Sequence, residues 1–152
     1  EPDRIRGISC TLPFGNHPKP PLTCHVDGHP FHLGVVGYID DVAPTGGSFS
    51  VWPGSHKHFY YAFNSQYEHD RNEEYPLICE YYNGHQPVDC FGEAGDIVFW
   101  HHRLAHMASP NSTCNVRQAV LYDFKKTDIN QTQLSPPLDN MWEDWSAEFR
   151  SN

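Results

Sequence analysis

The sequence predicts an all-β fold, a double-stranded β-helix (jelly roll) with short peripheral helices. Three observations predict it. Short runs rich in Val, Ile and aromatic residues recur along the chain, as half-buried strands require. Gly and Pro clusters interrupt these runs at close intervals, with 13 Pro and 11 Gly in 152 residues. Alternating strand–helix units and Gly-rich phosphate loops are absent, which argues against doubly wound sheets that bind nucleotides.

The elements follow in order. Residues 11–24 are proline-rich and read as an extended lead-in. Phe31–Asp40 (FHLGVVGYID) reads as a buried strand, and Asp41–Gly47 (DVAPTGG) as a turn cluster. Ser48–Trp52 alternates and makes a second strand, broken by Pro53-Gly54-Ser55. Pro53 and Gly54 shape that bend, and Ser55 is placed to cap the segment after it. Residues 56–76 read as a long loop or short helix, Leu77–Tyr82 as a strand, and 82–94 as a loop. Gly95-Asp96 is a tight turn before an apolar strand, Ile97–Trp100. Residues 109–115 form a turn, and Arg117–Phe124 a last strand of good alternation. In the tail, 134–152, Trp142, Trp145 and Phe149 recur at near-helical spacing and suggest a docked short helix. The whole reads as one domain over 1–152 with its core at 24–124. Trp52 and Trp100 are expected in that core.

Charge and composition exclude several classes of function. The formal net charge is −9 with no basic stripe, which argues against nucleic acid and against anionic membrane surfaces. No apolar run reaches the ~18 residues of a membrane span. The five Cys form no CxxC pair, so a structural zinc site has no support, and the compartment leans to a reduced, cytoplasmic one. Asn111-Ser112-Thr113 and Asn130-Gln131-Thr132 match the glycosylation acceptor pattern. Oligomeric state and substrate identity are not legible.

The chemistry sits in the histidines, of which there are 11. His25 and Asp27 are two apart. On an extended segment they point to one face, so an imidazole and a carboxylate can meet at one ion. A second His from a distant strand would complete a two-His, one-carboxylate face with open positions, the arrangement of non-haem iron(II) oxygenases. His101, His102 and His106 compete for that place. His106 is preferred because it opens a turn and is followed by Arg117, whose planar fork suits the far carboxylate of a dicarboxylate cosubstrate. The strand begun by Arg117 is expected to run beside the one that ends at His106. His101 and His102 are then core or supporting residues, His29 and His32 line the mouth, and His56 is structural. Phe31, Tyr38 and Phe49 are candidates for a dry wall.

The segments His25-Val26-Asp27, Gly46–Lys57 (GGSFSVWPGSHK), Gly95–Trp100 (GDIVFW), and His106 through Pro110-Asn111 to Arg117 resemble the phytanoyl-CoA dioxygenase family, in the family's order across residues 24–124. The resemblance implies a jelly roll, iron(II) held by His25, Asp27 and His106, and the cosubstrate 2-oxoglutarate anchored by Arg117. It implies consumption of O2, with ascorbate as a reductant, and hydroxylation of a small organic substrate with release of succinate and CO2. Family members usually carry a long segment before the His-x-Asp motif, so the chain is expected to be N-terminally truncated. Two other readings stand beside this one. The first is an inactive jelly-roll binding protein that retains the metal-site residues. The second is a cupin-type metal enzyme, although cupins tend to use several His and a Glu and no such local cluster surrounds His25.

Overall fold

The computed structural model describes residues 2–20, 24–27, 33–60, 75–132, 135, 136 and 147. Within them the chain forms β1 (Pro2–Thr11), β2 (Leu33–Tyr38), β3 (Phe49–Val51), α1 (His56–Phe59), α2 (Tyr75–Gly84), β4 (Val88–Cys90), β5 (Ile97–His101), β6 (His106–Ala108), β7 (Arg117–Phe124) and α3 (Ile129–Thr132). The strands make two sheets, a four-stranded one in the order β1-β7-β2-β5 and a three-stranded one in the order β4-β3-β6. Every pairing between these strands is antiparallel. This is the double-sheet jelly roll that the strand pattern predicts.

The period of two decides what is buried. In β2, Gly34, Val36 and Tyr38 face inward; in β7, Arg117, Ala119 and Asp123 do. Val36, Tyr38, Val42, Phe49, Trp100 and Ala119 form one apolar cluster. Cys24, Val26, Trp52, Phe59, Ala105 and Met107 form another, with Tyr81 and Tyr82 packed against it. Trp52 and Trp100 are both in the core, as expected. The outer face of the larger sheet is also apolar, with Ile8, Val120, Ile97 and Phe99 exposed.

Several elements differ from expectation. Leu77–Tyr82 is helical, not a strand. Leu77 and Tyr81, like Ile78 and Tyr82, are spaced i, i+4, and Pro76 stands in the first turn, where its missing N–H costs nothing. Ahead of the expected lead-in lies a full strand, β1, which covers the free edge of β7. His106 opens a strand rather than a turn, because β3 offers it a partner. Arg117 does begin a strand, but β7 pairs with β1 and β2 while β6 pairs with β3, so the two lie in different sheets. Phe31, His29, His32, Trp142, Trp145 and Phe149 lie outside the described residues, as does most of the 56–76 segment. No described helix is long and apolar enough to cross a membrane.

Gly34 is fixed by close approach. A Cβ there would lie 2.2 Å from a ring carbon of Trp100, its neighbour across the ladder. Gly34→Ala is therefore expected to push the indole from its place at a cost of about 1–3 kcal/mol. Thermal denaturation followed by tryptophan fluorescence measures that cost as a lower midpoint.

Candidate metal centre

Residues 24–27 run extended along one corner of the sandwich. The His25 N–H donates to the His106 carbonyl at 3.0 Å, and the His106 N–H donates back to His25 at 2.9 Å. The Asp27 N–H donates to the His102 carbonyl at 3.2 Å. The alternation then does the sorting. Cys24 and Val26 enter the apolar cluster that also takes Ala105 and Met107. His25, Asp27 and His106 therefore project to the opposite side, towards Phe49 and Trp100 of the other cluster. The His106 ring lies 4.5 Å from that of His25, 5.2 Å from Phe49 and 5.5 Å from Trp100.

One donor atom from each of His25, Asp27 and His106 can be chosen so that all lie within 4.8 Å of one another. His106 Nε2 stands 3.4 Å from Asp27 Oδ2. Two donors bound at a right angle to a common ion are separated by about 3 Å, so this spacing suits a metal with little adjustment. The orientation of His106 suits it too. Its Nδ1 is 2.8 Å from the Leu104 carbonyl, which can only accept, so Nδ1 carries a hydrogen and Nε2 is the ring nitrogen turned to the site. Two imidazoles and a carboxylate are the donor set of the non-haem iron(II) oxygenases, and the residues present fit iron(II).

Asp27 is buried, which opposes its charge, but His106, Arg6 and His25 outweigh that penalty and hold its carboxyl below the usual range. Trp100 Nε1 donates to Asp27 Oδ2 at 3.4 Å, and Arg103 Nη1 to the Asp27 carbonyl at 3.2 Å. Arg103 is fully buried, and burial lowers its pKa to about 10 against the pull of Tyr60 and Asp27.

The other residues singled out by sequence fall as follows. Arg117 is buried at the start of β7, and its Nε donates to the Gly47 carbonyl at 2.8 Å. Burial lowers its pKa, and Tyr38 and Cys10 are the groups that act against this. Tyr38 is buried, its hydroxyl accepting from the Phe49 N–H and donating to the Cys90 carbonyl. His101 and His102 stay outside the cluster of donor atoms: His101 Nδ1 accepts from the Arg103 N–H, and His102 contributes its carbonyl to Asp27. His56 lies in α1, its pKa lowered by burial and by Lys57. Ser55 does not cap that helix. Its hydroxyl accepts instead from the Ala105 N–H at 2.8 Å, one residue before His106. Asn111 is buried and bonded to Thr11, Thr113 and Asn115, which removes it as a glycosylation acceptor in the folded chain.

Residues 14–119 match the sequence profile of the phytanoyl-CoA dioxygenase (PhyH) family. The chain belongs to the phytanoyl-CoA dioxygenase family. Solved structures agree in fold. The non-heme alpha ketoglutarate dependent carbocyclase SnoK from nogalamycin biosynthesis is 27% identical, with a TM-score of 0.58, over 91% of this chain and 61% of SnoK. AviO1 from Streptomyces viridochromogenes Tue57 is 18% identical, with a TM-score of 0.56, over 86% of this chain and 50% of AviO1. The epimerase SnoN, in complex with Fe3+, alpha ketoglutarate and nogalamycin RO, is 22% identical, with a TM-score of 0.52, over 82% of this chain and 52% of SnoN. The chain thus spans between half and two thirds of the length of these structures. A comparison with curated protein sequences finds no match.

Sequence reasoning missed four residues that surround the donor cluster of this PhyH-family chain: Arg6, Trp100 in its polar role, Arg103 and Asp123. A buried Arg next to a candidate ligand leaves no periodic signal, and Arg6 lies before the motif-bearing segments. The GSHK turn is better explained by the structure than by its sequence. Ser55 in the turn and Trp52 just before it fix the backbone beside His106, the Trp52 N–H donating to the Ala105 carbonyl at 3.0 Å. Ser55→Ala should strand the buried Ala105 N–H and cost about 1–3 kcal/mol. The check is a lower urea midpoint at unchanged slope.

Proposed function

We propose that the chain carries the jelly-roll core, at 24–124 of a single 1–152 unit, of an iron(II)- and 2-oxoglutarate-dependent dioxygenase. In this reading it hydroxylates a C–H bond of a small organic substrate. The observation that carries the proposal is the convergence of two imidazoles and one carboxylate, from distant parts of a PhyH-family sequence, on one partly dry point. The likeness to SnoK, described as non-heme and alpha ketoglutarate dependent, supports the same class.

His25, Asp27 and His106 would hold the metal and leave the remaining positions open. Bound iron(II) supplies the redox chemistry that couples oxidation of 2-oxoglutarate to succinate and CO2 with delivery of one oxygen atom of O2 to the substrate. The protein's part is positional. The Leu104 carbonyl fixes the tautomer of His106. The reciprocal bridge fixes the distance between the histidines. Phe49 and Trp100 exclude water from one side of the metal position. Arg117, with Nε engaged by Gly47, supplies its Nη groups as the fork for the distal carboxylate of 2-oxoglutarate.

Two substitutions test this. His106→Ala should abolish Fe(II)-dependent conversion of 2-oxoglutarate to succinate, assayed with ascorbate, while the protein stays folded. Arg117→Ala should weaken 2-oxoglutarate binding about thirtyfold or more, the equivalent of losing one partner of a buried charge pair, without altering metal affinity. Calorimetric titration of 2-oxoglutarate into the Mn(II)-loaded protein reads this. Unchanged affinity in Arg117→Ala would reject the anchor, and wild-type protein that binds no divalent metal would reject the whole reading.

A further inference from the structure

Arg6 has a position that the proposed chemistry does not use. It sits in β1 between Ile5, which pairs with Tyr122, and Gly7, which pairs with Leu121. Two steps along β1 thus match one step along β7, so Arg6 is the extra residue of a β-bulge. Gly7 takes φ +93, a conformation that L side chains rarely adopt. Bulges re-aim a side chain that regular pairing would place elsewhere. Here the strand's neighbours Ile5 and Ile8 are exposed, while the Arg6 guanidinium turns into the sandwich.

There it meets two buried carboxylates. Its Nε donates to Asp123 Oδ2 at 2.8 Å, and its Nη2 reaches Asp27 Oδ1 at 3.2 Å. Asp27 is thereby divided between two tasks. Oδ1 is held by Arg6, and Oδ2 faces His106 Nε2 and Trp100 Nε1. Asp123 is fully buried, and among the described residues its carboxylate bonds only to the Arg6 guanidinium, through Oδ2. A planar guanidinium that bonds Asp123 through Nε and pairs with Asp27 through Nη2 spans both carboxylates in a way that a single ammonium cannot copy.

We infer that Arg6, anchored by Asp123, is the positioning residue that holds Asp27 to single-oxygen ligation. This rests on the metal reading above. With Oδ1 tied, Asp27 presents one oxygen to the ion, and the positions needed for cosubstrate and O2 stay open. A free carboxylate could swing to chelate through both oxygens and close one of them. Asp123 also offsets the charge of Arg6, so the clamp adds no net repulsion toward a cation.

The test uses Co(II), whose visible spectrum reports coordination number, with Arg6→Gln, Arg6→Lys and Asp123→Asn in the full chain. Wild-type protein should bind Co(II), and His106→Ala should not. Arg6→Gln and Arg6→Lys should both change the band shape and intensity of the bound Co(II). Both should also weaken its affinity about 10–100-fold, the usual effect of losing a partner behind a metal ligand. Asp123→Asn, which loosens one end of the clamp, should show a smaller change of the same kind. If Arg6→Gln does not fold, the milder two variants decide. Folded variants with lower melting temperatures but wild-type Co(II) affinity and spectrum would overturn the inference and leave Arg6 a structural ion pair. Wild-type protein without Co(II) binding, or His106→Ala with it, would instead overturn the metal reading.

Discussion

The arrangement depends on how residues 24–27 are stitched to both sheets at once. β5 is the edge of one sheet and β6 the edge of the other, and the chain crosses between them through residues 102–105. His25 pairs with His106 at the start of β6, and Asp27 bonds to the His102 carbonyl just past β5. Four residues therefore bridge the corner where the chain changes sheets. A backbone bridge fixes Cα positions to within a fraction of an ångström, a tighter constraint than side-chain packing alone supplies. With the backbone so held, the two-residue period needs nothing further to send His25, Asp27 and His106 to a common side.

Much of this was legible because period two is legible. The strands at 33–38, 49–51, 97–101 and 117–124 lie inside or close to the segments that alternate or run apolar, and His25 and Asp27 share a face for the same reason. What escaped depends on partners distant in sequence. α2 reads as a strand when LICEYY is taken as an apolar run, yet it is helical, with Tyr81 packed on Phe59 and Tyr82 on Trp52. The preference of Ser55 for capping loses to the buried Ala105 N–H, an obligation set fifty residues away. The strand of Arg117 could be read from pattern, but its sheet could not, because pairing order is a property of topology and not of local alternation.

The buried charges follow the same logic. Asp27, Arg6, Asp123 and Arg103 all lie in or beside the sandwich interior, and isolated charges there would be strongly unfavourable. They are tolerable because each has a buried partner: Arg6 joins two carboxylates, and Arg103 donates to the Asp27 carbonyl. Such pairs contribute little net stability compared with apolar packing, and breaking one is costly. Their concentration around one carboxylate is thus a poor solution for stability alone. It is a good solution for holding that carboxylate still.

The two sheets divide the work. The three-stranded sheet, extended by the His25 bridge, carries both imidazoles. The four-stranded sheet carries Arg117, Asp123 and Arg6. Asp27 stands between them, with its backbone on the β5 corner and its side chain shared between His106 of one sheet and Arg6 of the other. A site assembled across two sheets depends on the sandwich closing at a fixed spacing. That gives a physical reason for Trp100 to pack against Gly34, where any larger residue would displace it, with its indole N–H reaching Asp27. The indole both sets the local thickness of the core and touches the carboxylate, so the packing of the sandwich and the geometry of the centre are one constraint.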